Sequence, residues 1–492
     1  MRSISENTSL MTLIILSSIG LVVMYIETMV SPALPDFIKE FKISYNIAPW
    51  ILTSYLVVAV VMTPVMGRLS DIYGRKKILL IGLIIYAFGT FGAGFANNIY
   101  FMLIARAAEG IGIGIFPVAV SIVRDQSSEK QLAFNQGIIT SMFATGAVIG
   151  LAAGGPIIHY FGWRATFFTI MPLVIALIIF VIRFIHDNDQ VHAKNNKDGH
   201  KISFPKFKKT IFSQSKIDIN GAIVFSIGIV SVLLIITNIQ DKMSYVNWII
   251  LSILSIISIT SFAVFAYIEK KSLSPLIDLK LIMNKILLSA NVLRMIAGLI
   301  MFTILNTMPI LIRNPKPIGF GENAFNTAMI IVPFMVAYLI IGVSSGIILS
   351  RLGNIRVIIM GSIICVFGFT IMMSLFQNFE ILFVGLAILG IGSQLLHQGA
   401  ININLVSTPK SQTGISFGIS NVFYLMGSAI GPTIVGMFMQ ANKILLPGLG
   451  SFPSFNSYVL IFETGLILST FSILLSIFIL NKFRGPKVIP QF

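Results

Sequence analysis

Long apolar stretches, broken by short clusters of charge, proline, glycine and asparagine, recur from about residue 10 to residue 480 of the chain. Each is near the ~20 residues that a helix needs to cross a hydrocarbon core of ~30 Å. The pattern predicts fourteen helices, at about 10–34, 47–66, 77–96, 100–123, 134–158, 165–185, 217–237, 246–268, 286–312, 325–348, 355–376, 380–405, 413–440 and 456–480. No strand is expected. The N-terminal stretch has the outline of a signal peptide, but it lacks a small-x-small cleavage site and runs on past Glu27, so it reads as a retained first helix.

Composition sharpens this picture. Of 492 residues, 56% are hydrophobic and 11% charged, with a mean hydropathy of +0.92. A soluble domain carries about 25% charged residues, so an ordinary soluble protein and a large soluble catalytic domain are both excluded. A net charge of +16 would point to nucleic acid in a soluble chain. Here the charges lie in the loops, and nucleic acid is not an expected partner. With an even number of spans both termini share one side. That side carries 25 of the 34 Lys and Arg residues and the other 7, with Arg106 and Arg294 inside spans. The positive-inside rule then makes both termini cytoplasmic. Cys365 is the only cysteine, which leaves no disulfide framework and no cysteine-based metal site. No metal or other cofactor is expected.

The longest loop, 186–216, is polar and basic and reads as a solvated cytoplasmic connection, with contact to anionic lipid as the alternative.

Self-comparison reveals a duplication. The segment from Gly67 to Gly82 aligns without a gap on Gly346 to Gly361, at an offset of 279 residues, and Gly146 to Leu151 falls on Gly427 to Pro432 at an offset of 281. Both repeated loops lie on the side of the termini, so the halves run parallel about an axis along the membrane normal, as in transporters whose halves rock about a central site. The expected fold class is an all-α polytopic membrane protein with two parallel-repeat six-helix bundles plus two linking transmembrane helices. Its divisions are a first bundle over 1–185, a cytoplasmic loop over 186–216, two linker helices over 217–268, a cytoplasmic segment over 269–285, a second bundle over 286–480 and a tail over 481–492.

A charge inside a span is costly and marks a cavity or a partner. The candidates are Glu27, Arg106, Glu109, Arg294, His397 and Glu463. Counting at 1.5 Å per residue from the predicted helix ends puts Glu27, Arg106 and Glu109 near one level. His397, with Gln394 and Gln398 within a turn, suits substrate contact or proton carriage; a hydrogen bond between helices explains it equally well. Glu463 reads either as a cavity residue or as a structural pair. Arg294, near the cytoplasmic end of its span, reads as a side chain that snorkels to the interface. The pattern Gly414-Ile-Ser416-Phe-Gly418 matches a hydrolase nucleophile elbow, but it needs a preceding strand and lies in a helix. No phosphate-binding lysine loop, zinc motif or paired catalytic carboxylates occur in the chain, so neither an enzyme nor an ATP-driven pump is expected.

The loop Gly67-Arg-Leu69-Ser70-Asp71-Ile-Tyr-Gly74-Arg75-Lys76-Lys77 resembles the signature between the second and third helices of the major facilitator superfamily. Leu103 to Gly114, with Arg106, is similar to its helix-four motif, carrying Glu109 where glutamine is usual. Gly146 to Pro156, followed by Phe161-Gly162-Trp163-Arg164, resembles the antiporter motif of helix five, with Leu151 where proline usually follows Gly150. Pro275 to Lys280 is similar to the segment leading into the second bundle. The likeness spans the chain and fits the fourteen-helix drug:proton antiporter branch.

What it implies is a secondary active transporter in a prokaryotic inner (plasma) membrane. It would exchange protons for amphipathic small molecules by alternating access, as a monomer surrounded by lipid. A proton-coupled transporter of a defined metabolite or lipid, working by symport, is the alternative; a polytopic membrane enzyme is the more distant one. The resemblance places Glu27, Arg106 and Glu109 in proton coupling, with Glu27 against Arg106. It places Gly67, Asp71, Gly74, Arg75 and Asp125 in a cytoplasmic gate, where Asp71 would face the N-terminus of the helix beginning near Thr413 and Arg75 would pair with Asp125.

Overall fold

The structure is a computed structural model that describes residues 2–126, 129–185, 218–239, 245–272, 279–408 and 413–483. Among them are fourteen helices long and apolar enough to cross a membrane. In order they are Met11–Phe41, Trp50–Tyr73, Arg75–Gly94, Ile99–Val123, Ser141–Phe161, Trp163–Phe184, Asn220–Asn238, Val246–Lys271, Lys285–Arg313, Ala324–Leu352, Asn354–Leu375, Phe379–Val406, Ile415–Ala441 and Phe455–Asn481. The loop 186–216, most of the Pro275–Lys280 segment and the tail after 483 lie outside the described residues.

Three spans are less regular than the hydrophobic pattern predicts, and proline is the reason in each. The first helix ends at Met29, passes through a 3-10 turn at Ser31–Ala33, and resumes as Leu34–Phe41. Pro32 and Pro35 lack the N–H that the helical ladder needs. The resumed helix carries Asp36 and Glu40 well past the residue-34 end predicted for this span. The fourth span breaks at Gly114 and restarts at Phe116, and the sixth breaks at Ile170, before Pro117 and Pro172 respectively. A second difference is an antiparallel hairpin, Lys443–Leu446 with Gly450–Pro453, between the last two spans. Gly448 and Gly450 have φ of 77° and 107°, which lets so short a segment turn back on itself.

The pairing of helices repeats between the halves. The first span packs on the fifth, the second on the fourth, the third on the fourth and sixth; the ninth packs on the thirteenth, the tenth on the twelfth, the eleventh on the twelfth and fourteenth. The duplicated glycines explain the closest of these contacts. A Cβ at Gly146 or Gly150 would lie 2.2 Å from the carbonyl oxygens of Leu21 and Tyr25, and a Cβ at Gly427 or Gly431 would lie 1.9 and 2.7 Å from those of Met295 and Leu299. Each half therefore seats one helix backbone directly on another, which only glycine allows. The seventh and eighth spans pack on each other, and the seventh also touches the second and thirteenth.

Between the halves the second span meets the thirteenth and the fifth meets the tenth. Their contacts gather at the end of the molecule away from the chain termini. Ser31 Oγ donates to the Leu305 carbonyl at 2.5 Å, Gly155 faces Ala328, Gly436 faces Tyr45 and Pro49, and Arg313 makes a bidentate ion pair with Asp36 at 2.5 and 2.7 Å. At the other end the helices part. A Cβ built at Gly67, Gly346 or Gly418 meets nothing within 4 Å, and the fully buried residues of the tenth span stop at Tyr338. The protein is closed at the far end and open at the end holding the termini.

Candidate functional site

Glu27, Arg106 and Glu109 come together in the interior, each at most 3% exposed. The level inferred from helix counting is the level observed. Their neighbours come from the second span: Arg106 Nε donates to the Ile51 carbonyl at 3.0 Å, and its guanidinium lies 4.1 Å from the centre of the Tyr55 ring. Gly110 makes this possible, since a Cβ there would come within 2.3 Å of the Tyr55 carbonyl oxygen. The fourth span thereby sits on the second with Arg106 aimed across it.

The pairing within the group differs from the expected Glu27–Arg106 contact. Arg106 Nη1 pairs with Glu109, three residues on along the same helix. Glu27 accepts a hydrogen bond from the Tyr55 hydroxyl. Residues three apart on a helix share a face, so Glu109 reaches the guanidinium without any movement of the first span. Glu27 is joined to it through Tyr55, whose hydroxyl touches the acid and whose ring faces the cation. Glu27 Oε2, Glu109 Oε1 and Arg106 Nη2 are buried without a hydrogen-bond partner.

A second interior group lies in the other half. His397 packs edge-on against the Tyr424 ring, centroids 4.7 Å apart, and stands 6.4 Å from that of Tyr338. Gln394 is buried beside Gly342 with its Oε1 unpartnered, while Gln398 is half-buried. Glu463 does not join them: on the last span it is exposed while Ile461 and Phe462 beside it are buried, so it faces outward and away from the cavity. Arg294 also departs from expectation. It does not snorkel but is buried at 3% exposure, Nη2 donating to Asn421 Oδ1 at 3.2 Å, with the Phe417 and Tyr424 rings 5.1 and 5.7 Å away. The face of the ninth span that carries it is turned to the thirteenth, so the side chain points into the protein.

At the terminus end, Gly74 closes the second span with φ 94°, and its repeat Gly353 does the same for the tenth with φ 79°. Arg75 donates to the Ser121 carbonyl at 2.9 Å, which docks the signature loop on the fourth span. Asp71 is exposed there, and Gly67 borders open space. The side chain of Asp125 lies outside the described residues, as do those around Thr413. Sequence reading also missed a polar junction of three helices: Asn404 Nδ2 donates to Asn291 Oδ1 at 2.5 Å, and Ser416 bonds to Asn404 and Thr408.

A sequence profile described as Major Facilitator Superfamily matches residues 16–333 and, a second time, 290–487. The chain belongs to the major facilitator superfamily. It is a multi-pass membrane transporter, then, and not an enzyme. Within the superfamily the chain is similar to the "Multidrug transporter protein MdtP" of Bacillus subtilis (strain 168), 26% identical over 436 residues, or 87% of this chain and 76% of that one. It is also similar to the "Multidrug resistance protein Stp" of Mycobacterium tuberculosis (strain CDC 1551 / Oshkosh), 24% identical over 447 residues, covering 89% and 77%. Among solved structures, the nucleoside transporter NupG aligns with a TM-score of 0.61 at 12% identity, covering 97% of this chain and 100% of that one. The xylose transporter XylE from E. coli, in a partially occluded inward-open conformation, aligns with a TM-score of 0.61 at 11% identity, covering 94% and 98%. These two likenesses concern the superfamily fold alone.

Proposed function

We propose that this transporter is a proton-coupled exporter of amphipathic small molecules, working as a monomer in a bacterial plasma membrane with both termini in the cytoplasm. The buried group on the first, second and fourth spans is the observation that carries the proposal. Two carboxylates, Glu27 and Glu109, share one guanidinium, Arg106. In a low-dielectric interior a net charge is expensive, and the group is neutral only with one proton bound. Arg106 and Glu109 hold each other on one helix, which leaves Glu27, reached only through Tyr55, as the carboxylate that takes and returns the proton. The similarity to multidrug transporters supports export and a broad amphipathic cargo.

The division of the chain into a first bundle over 1–185, two linker helices over 217–268 and a second bundle over 286–480 belongs to the same proposal, since rocking of the two bundles would expose the group to one side and then the other. Gly67, Asp71, Gly74, Arg75 and Asp125 would form the cytoplasmic gate.

The test is transport by purified protein in liposomes with an imposed pH gradient and a panel of cationic, neutral and acidic amphiphiles. Gradient-driven accumulation is expected in the direction opposite to proton flow; co-directional flow would establish symport in its place. Glu27→Gln keeps the shape and removes titration, and should abolish gradient-driven transport while leaving downhill exchange. Full gradient-driven transport by Glu27→Gln, together with its loss in Glu109→Gln, would move the role to Glu109.

A further inference from the structure

Arg294 poses a question that the proton-coupling group does not answer. It is a cation within a membrane span, 97% buried on the 3% exposure given above, and among the described residues no carboxylate pairs with it. Its one hydrogen bond is to a neutral amide, Asn421 Oδ1, and Nε and Nη1 have no partner. The rings of Phe417 and Tyr424 offset part of the burial cost. A buried charge is ordinarily paired, so two idle donors are unusual for a residue that serves packing alone.

The surroundings admit a ligand. Phe417 and Asn421 are partly exposed, and next to them a Cβ at Gly418 would meet nothing within 4 Å, so open space adjoins the group on the end that holds the termini. Across the interior, Thr53 on the second span, two residues from Tyr55, donates to the Ala429 carbonyl of the thirteenth span at 3.4 Å, so the helix that carries Phe417 and Tyr424 borders the same central region as the proton-coupling group. The duplication does not account for Arg294: at the offset of 274 residues that maps Leu21 on Met295, its counterpart is Gly20.

We infer that Arg294 binds the carboxylate of an amphipathic aromatic substrate, through the guanidinium N–H groups that Asn421 leaves free, with Phe417 and Tyr424 against the apolar body. The cargo is then an organic acid or a zwitterion, in preference to a simple cation. Planar, two-point recognition of a carboxylate is what a guanidinium edge provides. This inference rests on the transport function proposed above and narrows its substrate class.

A matched pair of dyes tests it: rhodamine B, an aromatic zwitterion with a free carboxylate, and its ethyl ester, the same body without the acid. Binding to the purified full-length protein is read by fluorescence anisotropy, with size-exclusion elution as the check on folding. The wild type should bind the acid at least about 10-fold more tightly than the ester, and Arg294→Gln should weaken the acid roughly 10- to 100-fold with a loss at least ten times smaller on the ester. Asn421→Asp places a carboxylate on the guanidinium and should cancel the acid preference in the same way, which decides the matter if Arg294→Gln does not fold. Equal binding of acid and ester by the wild type, no binding of the acid, or equal losses on both dyes in the variants would each overturn the inference. Glu27→Gln should keep the acid preference while losing the response to a pH gradient. A wild type with acid preference but no response to the gradient would therefore sink proton coupling and leave the Arg294 site standing.

Discussion

The ion pair between Asp36 and Arg313 joins the two halves at the closed end, and its removal should shift the balance between conformations. The two hydrogen bonds are 2.5 and 2.7 Å, Arg313 Nη1 also donates to the Pro32 carbonyl at 3.2 Å, and the side chains are 29% and 20% exposed. An exposed pair is worth about 0–1 kcal/mol and removal of one partner from a fully buried pair costs about 3–5 kcal/mol. A bidentate pair of intermediate burial belongs between these, so Asp36→Asn should destabilise the closed far end by about 1–2 kcal/mol. The ratio of far-end-closed to far-end-open molecules then falls about 5- to 30-fold. A reporter is at hand in Ala324, 3% exposed in the closed state and facing Gly155 across the interface. The rate at which a membrane-impermeant maleimide alkylates Ala324→Cys should rise by that factor in Asp36→Asn, and Cys365, fully buried, gives little background. Arg313→Gln should do the same, and the double variant should add little to either single one, because both remove the same contact. An alkylation rate unchanged within about 2-fold in both single variants would show that the pair does not hold the far end shut.

Three further outcomes follow from the packing. Gly150→Val would drive its Cβ to 2.2 Å from the Tyr25 carbonyl, so the thermal unfolding midpoint in detergent should fall, reflecting an overpacking cost of at least about 1–3 kcal/mol; an unchanged midpoint would mean that the first and fifth spans separate at no cost. Tyr55→Phe removes the hydroxyl that bonds Glu27 and keeps the ring under Arg106, so gradient-driven flux should drop with an unaltered melting temperature, whereas equal flux at every pH would show that Tyr55 does not position the acid. For topology, maleimide labelling of Asn196→Cys from the cytoplasm and of Leu445→Cys, 78% exposed on the hairpin, from outside should succeed, and labelling of both from one face would overturn the orientation.

Span number, the parallel duplication and the shared level of Glu27, Arg106 and Glu109 were legible in the sequence, because apolar length, charge placement and rise per residue are properties of one helix at a time. The glycine pairs 146/150 and 427/431 were legible as part of that duplication; that each seats one helix backbone on another is what the structure added. Which partner each side chain takes was not legible. Tyr55 is one of twelve tyrosines in the sequence, and nothing in its own span distinguishes it; only the seating of Gly110 on its carbonyl brings its ring under Arg106. Arg294 sits near a helix end, where a lone arginine ordinarily reaches for water, and the docking of the ninth span on the thirteenth turns it inward. Glu463 shows the reverse, a carboxylate in an apolar span that faces outward. A sequence records how far along a helix a charge lies; the azimuth at which that helix packs decides whether the charge meets a partner, a cavity or the surrounding medium, and only the tertiary structure sets that angle.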